Sequence, residues 1–197
     1  AKFPAKYQNA FYVLDWSWGK IYAVHLEENG ASYTGTKEEF VTSAPLPVTD
    51  LIMHPNDGAM YFAIGGRKVQ SGLYRVTYVG DESTAPVDMT TKRTPMRRLR
   101  HSLERFHGRA HRRAVETVWP HLNHSDRIIR NAARVALEHQ PTDQWGNKAI
   151  SDPVPGRRIP ALLALARIKG VAPSQRPESG HVVDTATRDR IIDSMLE

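Results

Sequence analysis

Two hydrophobic periods divide this chain. Through roughly the first 80 residues, short runs rich in Tyr, Val, Ile and Phe alternate with turn clusters, the pattern of half-buried strands. From about residue 95 the apolar positions instead recur every three to four residues, as on amphipathic helices. The first period predicts strands over 11–14 and 20–26 around the turn 15–19, and another over 38–41. A cleaner unit follows, with three short antiparallel strands over 48–53, 59–64 and 72–78 joined by turns at 54–58 and 65–66. In the first of those turns Pro55 presets a turn dihedral, and Asp57-Gly58 offers the positive φ that a tight hairpin demands.

Strand-turn-strand units repeating at about 40 to 50 residues are the mark of propeller blades, and a lone sandwich is the competing arrangement. An echo ties the two units together: 19–24 reads GKIYAV and 72–76 reads GLYRV, which puts a tyrosine at a similar point of each strand. Residues 81–94 turn to Pro, Thr, Ser, Asp and Glu, too polar to bury a core, and form a linker. Beyond it Leu99, Leu103 and Phe106 share a face, then Ala114, Val115, Val118 and Trp119, then Ile128, Ile129, Ala132, Ala133, Ala136 and Leu137. Ser125-Asp126 is a plausible N-terminal cap for the third helix and Pro141 its stop. Two more helices are expected, over 157–169 closed by Gly170 and from about 185 onward. The expected fold is therefore mixed β and α. Residues 1–80 form antiparallel β-propeller-type blades, one or two in number, 81–94 the linker, and 95–197 α-helical HEAT-like hairpins.

Residues 48–62 (VTDLIMHPNDGAMYF) and 65–78 (GGRKVQSGLYRVTY) resemble the closing blade of glucose/sorbosone dehydrogenase-like propellers, in particular the branch found in large bacterial multidomain proteins of the membrane-bound dehydrogenase type. Residues 15–22 (DWSWGKIY) resemble the corner of the preceding blade, and 121–138 (HLNHSDRIIRNAARVALE) are similar to the second half of a HEAT repeat. The resemblance implies a quinoprotein-like sugar or alcohol dehydrogenase in a periplasmic or other extracytoplasmic location. Pyrroloquinoline quinone and calcium would be bound by the complete parent protein rather than within this segment. The implied partners are the remaining blades and an electron-accepting domain. A ring needs at least about four blades, so the segment is expected to be inactive alone, and no catalytic residue carries over by motif. The haem-attachment motif of that branch is absent because there is no cysteine.

Composition narrows the chemistry further. An apolar content of 40% suits a folded domain, and no apolar run is long enough for a spanning helix. The start of the chain lacks the pattern of a signal peptide and reads as a cut or a mature end. The absence of cysteine removes disulfides, thiolate metal sites and a thiol nucleophile. The net charge of +6 is concentrated in one place: residues 92–113 carry nine Lys/Arg against one acid, while 1–91 carry seven against ten and 114–197 eleven against ten. Within that segment Arg97, Arg98, Arg100, Arg105, Arg109, Arg112 and Arg113 form a candidate partner or anion surface, since guanidinium forks bind carboxylate and phosphate bidentately. A solvated or interdomain-docking face is the favoured reading, with the acidic first half of the chain as an internal partner and an acidic protein surface as an external candidate. Nucleic acid is the weaker one, because Phe106 alone interleaves the stretch.

Other candidates are thinner. Arg67, between two Gly-bearing turns, could face a propeller channel and meet an anionic cofactor. Asp15 and Asp57 could hold calcium at a blade corner, or simply cap their own turns. His107 with His111, and His121 with His124, have the spacing of metal pairs but lack a third ligand at a recognised distance, so no metal site is assigned. Three functions stay open: a fragment of the dehydrogenase, a non-catalytic HEAT-like protein-binding scaffold, and a nucleic-acid-binding module acting through 92–113.

Overall fold

The structure, a computed structural model, describes residues 1–66, 68–88, 90, 94–171, 180 and 183–196. It is a mixed α and β chain divided into two compact units, Ala1–Asn29 with Tyr33–Lys92, and Gly30–Ser32 with Arg93–Glu197.

In the first unit a short helix α1 (Ala5–Gln8) leads into two antiparallel sheets of three strands each, β1 (Phe11–Asp15), β2 (Lys20–Asn29) and β3 (Ser32–Thr42), then β4 (Val48–Met53), β5 (Met60–Gly66) and β6 (Val69–Val76). Each sheet runs in chain order, as successive hairpins require. Strands β2 and β3 are longer than the apolar runs at 20–26 and 38–41, because their added residues are charged or polar and exposed, and periodicity does not register them. Turn chemistry sets the hairpins. The Asp15 carboxylate accepts the Ser17 and Trp18 amides at 3.0 Å each, and Gly19 follows at φ 64°. A Cβ on Gly19 would lie 2.4 Å from the Ser43 carbonyl oxygen, so both dihedral and space demand glycine. Gly19→Ala should therefore lower stability by about 1–3 kcal/mol; a urea midpoint equal to the parent's would refute this.

One core joins the sheets. Ile21, Leu46, Val48, Phe62 and Ile64 are buried together, with Tyr12, Leu14, Phe40 and Leu51 packed against them. Pairing fixes which face each residue takes, because directly opposed residues share a face. Leu14 opposite Ile21 and Tyr12 opposite Ala23 lie on the core side, while Phe11 opposite Val24 and Val13 opposite Tyr22 lie on the other. That outward face is not polar: Phe11 is 59% exposed and Val13 40%. In the second sheet Ile52 and Arg75 flank Tyr61 on the outward face, and Asp50 and Leu73 flank Ala63, so apolar and charged residues alternate there, with Ile52 59% exposed and Leu73 73%.

The second unit is helical: α2 (Pro95–Glu104), α3 (Ala114–Val118), a 3-10 turn over Trp119–Asn123, α4 (Arg127–Glu138), α5 (Gly146–Ser151), α6 (Pro155–Lys169) and α7 (Thr185–Leu196). Helix α2 starts on Thr94, whose hydroxyl accepts the Arg97 amide. Asp126 caps α4 through the Ile128 amide at 2.7 Å, as its position before the apolar run predicts. The small face of α4, Ala132, Ala133 and Ala136 beside Ile129 and Leu137, is buried and lets α2 and α6 approach. Leu103, Val118, Trp119, Leu122, Trp145 and Leu162 complete that core. Helices α1 and α5 have no counterpart among the expected elements, since segments of four and six residues are too short to show a period. Among the described residues no helix is long and apolar enough to cross a membrane.

Candidate anion-binding cleft

The arginine-rich stretch breaks into parts with different tasks. Helix α2 ends at Glu104, and the chain turns at Gly108, whose φ is 75°. It then runs through His111 into α3, and Ala114 N donates to the His111 carbonyl at 2.9 Å. The connection is held from beneath by Gln140, which is only 3% exposed. Gln140 Oε1 accepts the His111 amide at 2.8 Å, while its Nε2 donates to the carbonyls of Arg109 (3.1 Å) and Ala136 (2.9 Å). A buried primary amide satisfied on both ends is a rigid peg.

Over that peg lies a cleft of about 400 Å³, lined by Arg105, Phe106, Arg109, His111, Arg113 and Thr117. Arg109 Nε donates to the Arg105 carbonyl at 2.9 Å, so its two Nη groups remain as donors for other partners. Thr117 donates to the Arg113 carbonyl at 2.7 Å. Arg113 N donates to His111 Nδ1 at 3.2 Å, so the neutral ring carries its proton on Nε2 and offers a donor there. The Phe106 ring lies 5.3 Å from the imidazole and forms an apolar wall. Among the described residues that line the cleft none is acidic. The nearby Glu104 is engaged elsewhere, with Arg100 at 3.2 Å and His101 at 3.0 Å. Three cationic forks with no internal carboxylate can accept an anion of more than one charge.

The other arginines of the expected surface are not part of this site. Arg97 is 4% exposed. Arg100 donates to the Ala31 carbonyl at 2.8 Å, within the Gly30–Ser32 turn that belongs to this unit. Helical phase turns these two inward, which corrects their placement on a solvent-facing surface. Arg98 and Arg112 are exposed but outside the cleft. Arg67, together with Lys92 and Arg93, lies outside the described residues.

Neither aspartate offers calcium a shell. Asp57 accepts the Ala59 amide (2.9 Å) and the Tyr61 hydroxyl (2.8 Å), and Arg75 Nε approaches it at 3.3 Å. The Ala59 amide foremost, against the opposing effect of burial, and then Tyr61, His54 and Arg75 hold its carboxyl down at about 2. Asp15 spends an oxygen on its own turn. The residues present therefore do not fit calcium, and no chemistry is routed through it. The histidine pairs do not converge on a ligand either. His107 meets the Ala132 carbonyl at 2.9 Å while His111 serves the cleft. His121 and His124 stand 6.1 Å apart between rings, and burial, then the His124 charge, pushes the His121 imidazole below its ordinary value. Among the described residues no group of three potential ligands forms.

The sequence pointed to the arginines and to Phe106 among them, but read His111 as half of a metal pair and gave Gln140 no part. The only signal for Gln140 was a polar residue at the end of an apolar helical face. No family model, no curated protein and no solved structure matches this chain.

Proposed function

We propose that this chain contributes two neighbouring blades of a β-propeller, followed by a HEAT-like helical binding scaffold, to a larger quinoprotein-like sugar or alcohol dehydrogenase. The observation that supports it most is that both outward sheet faces expose large apolar side chains, although charged residues such as Asp15, Lys20, Asp50 and Arg75 share those faces. In a two-layer sandwich the inner faces pack and the outer faces turn polar. In a propeller every sheet is covered on both sides by its neighbours. Phe11 and Val13 on one outward face, and Ile52 and Leu73 on the other, follow the second pattern. The occupants would be further antiparallel sheets of the same kind. The cofactor-bearing residues, with quinone and calcium, would lie on those other blades, and the helices would dock the electron-accepting domain.

The decisive experiment takes the protein from its native source, measures its intact mass and absorption spectrum, and assays aldose-dependent dye reduction with added quinone and calcium. A species much heavier than 22.2 kDa with quinone absorption and activity is expected. A 22.2 kDa species that stays colourless and inert after reconstitution would overturn the dehydrogenase reading in favour of a non-catalytic scaffold. A second check concerns the faces alone. Phe11→Asp in the native-length protein should cost about 2–3 kcal/mol if a neighbouring sheet covers it, and nearly nothing if that face meets water.

A further inference from the structure

We infer that the cleft between the end of α2 and the start of α3 is a binding site for a small phosphorylated anion carrying two adjacent phosphate groups. This inference does not depend on the propeller reading, because every residue it uses lies in the helical unit. Four observations carry it. Arg105, Arg109 and Arg113 line one cleft instead of spreading around a helix. None of the three has a carboxylate partner among the described residues, whereas Arg134, Arg157 and Arg167 of the same unit all do. The backbone at Arg109 and His111 is fixed by the buried Gln140, so the stretch that carries the arginines keeps its shape before a ligand arrives. The cleft, at about 400 Å³, falls within the roughly 300–1,000 Å³ range of small-ligand sites.

The chemistry selects among anions. A planar fork binds two oxygens of one phosphate, so three forks with the His111 Nε2 donor offer more donors than a single phosphate can fill but suit two joined by a bridging oxygen. Tetrahedral phosphate groups accept from several directions, while a flexible polycarboxylate would have to freeze several torsions to match the same donors. Phe106 supplies a wall for an organic group attached to the terminal phosphate.

The test is a titration of the full chain at constant ionic strength with pyrophosphate, and separately with citrate, following the arginine Nε–Hε signals by NMR. Saturable shifts at Arg105, Arg109 and Arg113 are expected, with pyrophosphate at least about tenfold tighter than citrate. Arg109→Gln and Arg113→Gln should each weaken pyrophosphate about tenfold or more, while Arg112→Gln, outside the cleft, leaves the affinity unchanged. All these side chains are exposed, so the variants fold, which circular dichroism checks directly. The inference is overturned by any of four results: shifts as large at Arg112 and Arg190 as in the cleft, citrate binding as tightly, Arg109→Gln binding unaltered, or a single-stranded oligonucleotide that pyrophosphate cannot displace.

Discussion

Asp152→Ala is expected to destabilise the helical unit by about 2–4 kcal/mol, because it leaves a buried indole N–H unpaired and takes the carboxylate from a partly buried guanidinium. Asp152 is 5% exposed and lies in the turn between α5 and α6. Its carboxylate accepts the Trp119 indole N–H at 2.7 Å, Arg157 Nε at 3.0 Å and Nη2 at 3.1 Å, and the Val154 amide at 2.8 Å. Without it, the buried Trp119 indole N–H would be left unpaired and the partly exposed Arg157 guanidinium would lose its carboxylate. Asp152→Asn keeps the shape and some acceptors and should cost less, about 1–3 kcal/mol. Urea unfolding of the two variants separates these outcomes, and a loss below about 1 kcal/mol for Asp152→Ala would show that water replaces the carboxylate.

The same cluster fixes a pH dependence. Burial works to raise the Asp152 pKa, but Arg157, Trp119 and the Val154 amide together outweigh it and leave the carboxyl below its ordinary value. The unfolded chain therefore binds its proton at higher pH than the folded one. The contribution is fully present above the ordinary carboxylate range and is lost as pH falls through the depressed folded value. Asp126, lowered by the Ala31, Ile128 and Ile129 amides against burial, acts in the same direction. Between roughly pH 5 and 2, stability should fall more steeply in the parent than in Asp152→Asn. Parallel pH profiles would disprove the linkage.

Trp145→Ala should cost a comparable amount, about 3–5 kcal/mol, for a different reason. Trp145 has no exposed surface and packs in the same core as Leu137, Leu162 and Leu165. A close-packed core relaxes only partly into so large a void. Its indole N–H also donates to the Gln140 carbonyl at 3.2 Å, so the substitution loosens the residue that pegs the arginine cleft. Trp145→Phe refills most of the space and should recover about half the loss or more, the remainder being the lost volume and hydrogen bond. If Phe and Ala were equally destabilising, the hydrogen bond rather than packing would dominate.

Local chemistry made much of the fold legible. The change of period near residue 95 marked where strands give way to helices, because side-chain direction follows the backbone repeat. Asp57-Gly58 and Asp126 announced a hairpin turn and a helix cap, since both act on amides within three residues of themselves. The Ala132, Ala133 and Ala136 face of α4 was readable for the same reason. The site was legible only as a count of arginines. Gly108 breaks the helical phase in mid-segment, so no periodicity carries across to sort Arg97 and Arg100, which turn inward, from Arg105, Arg109 and Arg113, which share a cleft.

What the sequence determined by itself was therefore the class of each segment and the place where positive charge accumulates, because propensity, capping and turn chemistry operate over a few residues. Only the tertiary structure decided that Gln140 reaches back 29 residues to His111, that Asp152 meets Trp119 from 33 residues away, and that large apolar side chains such as Phe11, Ile52 and Leu73 are left exposed on the outward sheet faces. Those pairings depend on how helices and sheets pack, and packing is set by the summed fit of many side chains rather than by any local signal.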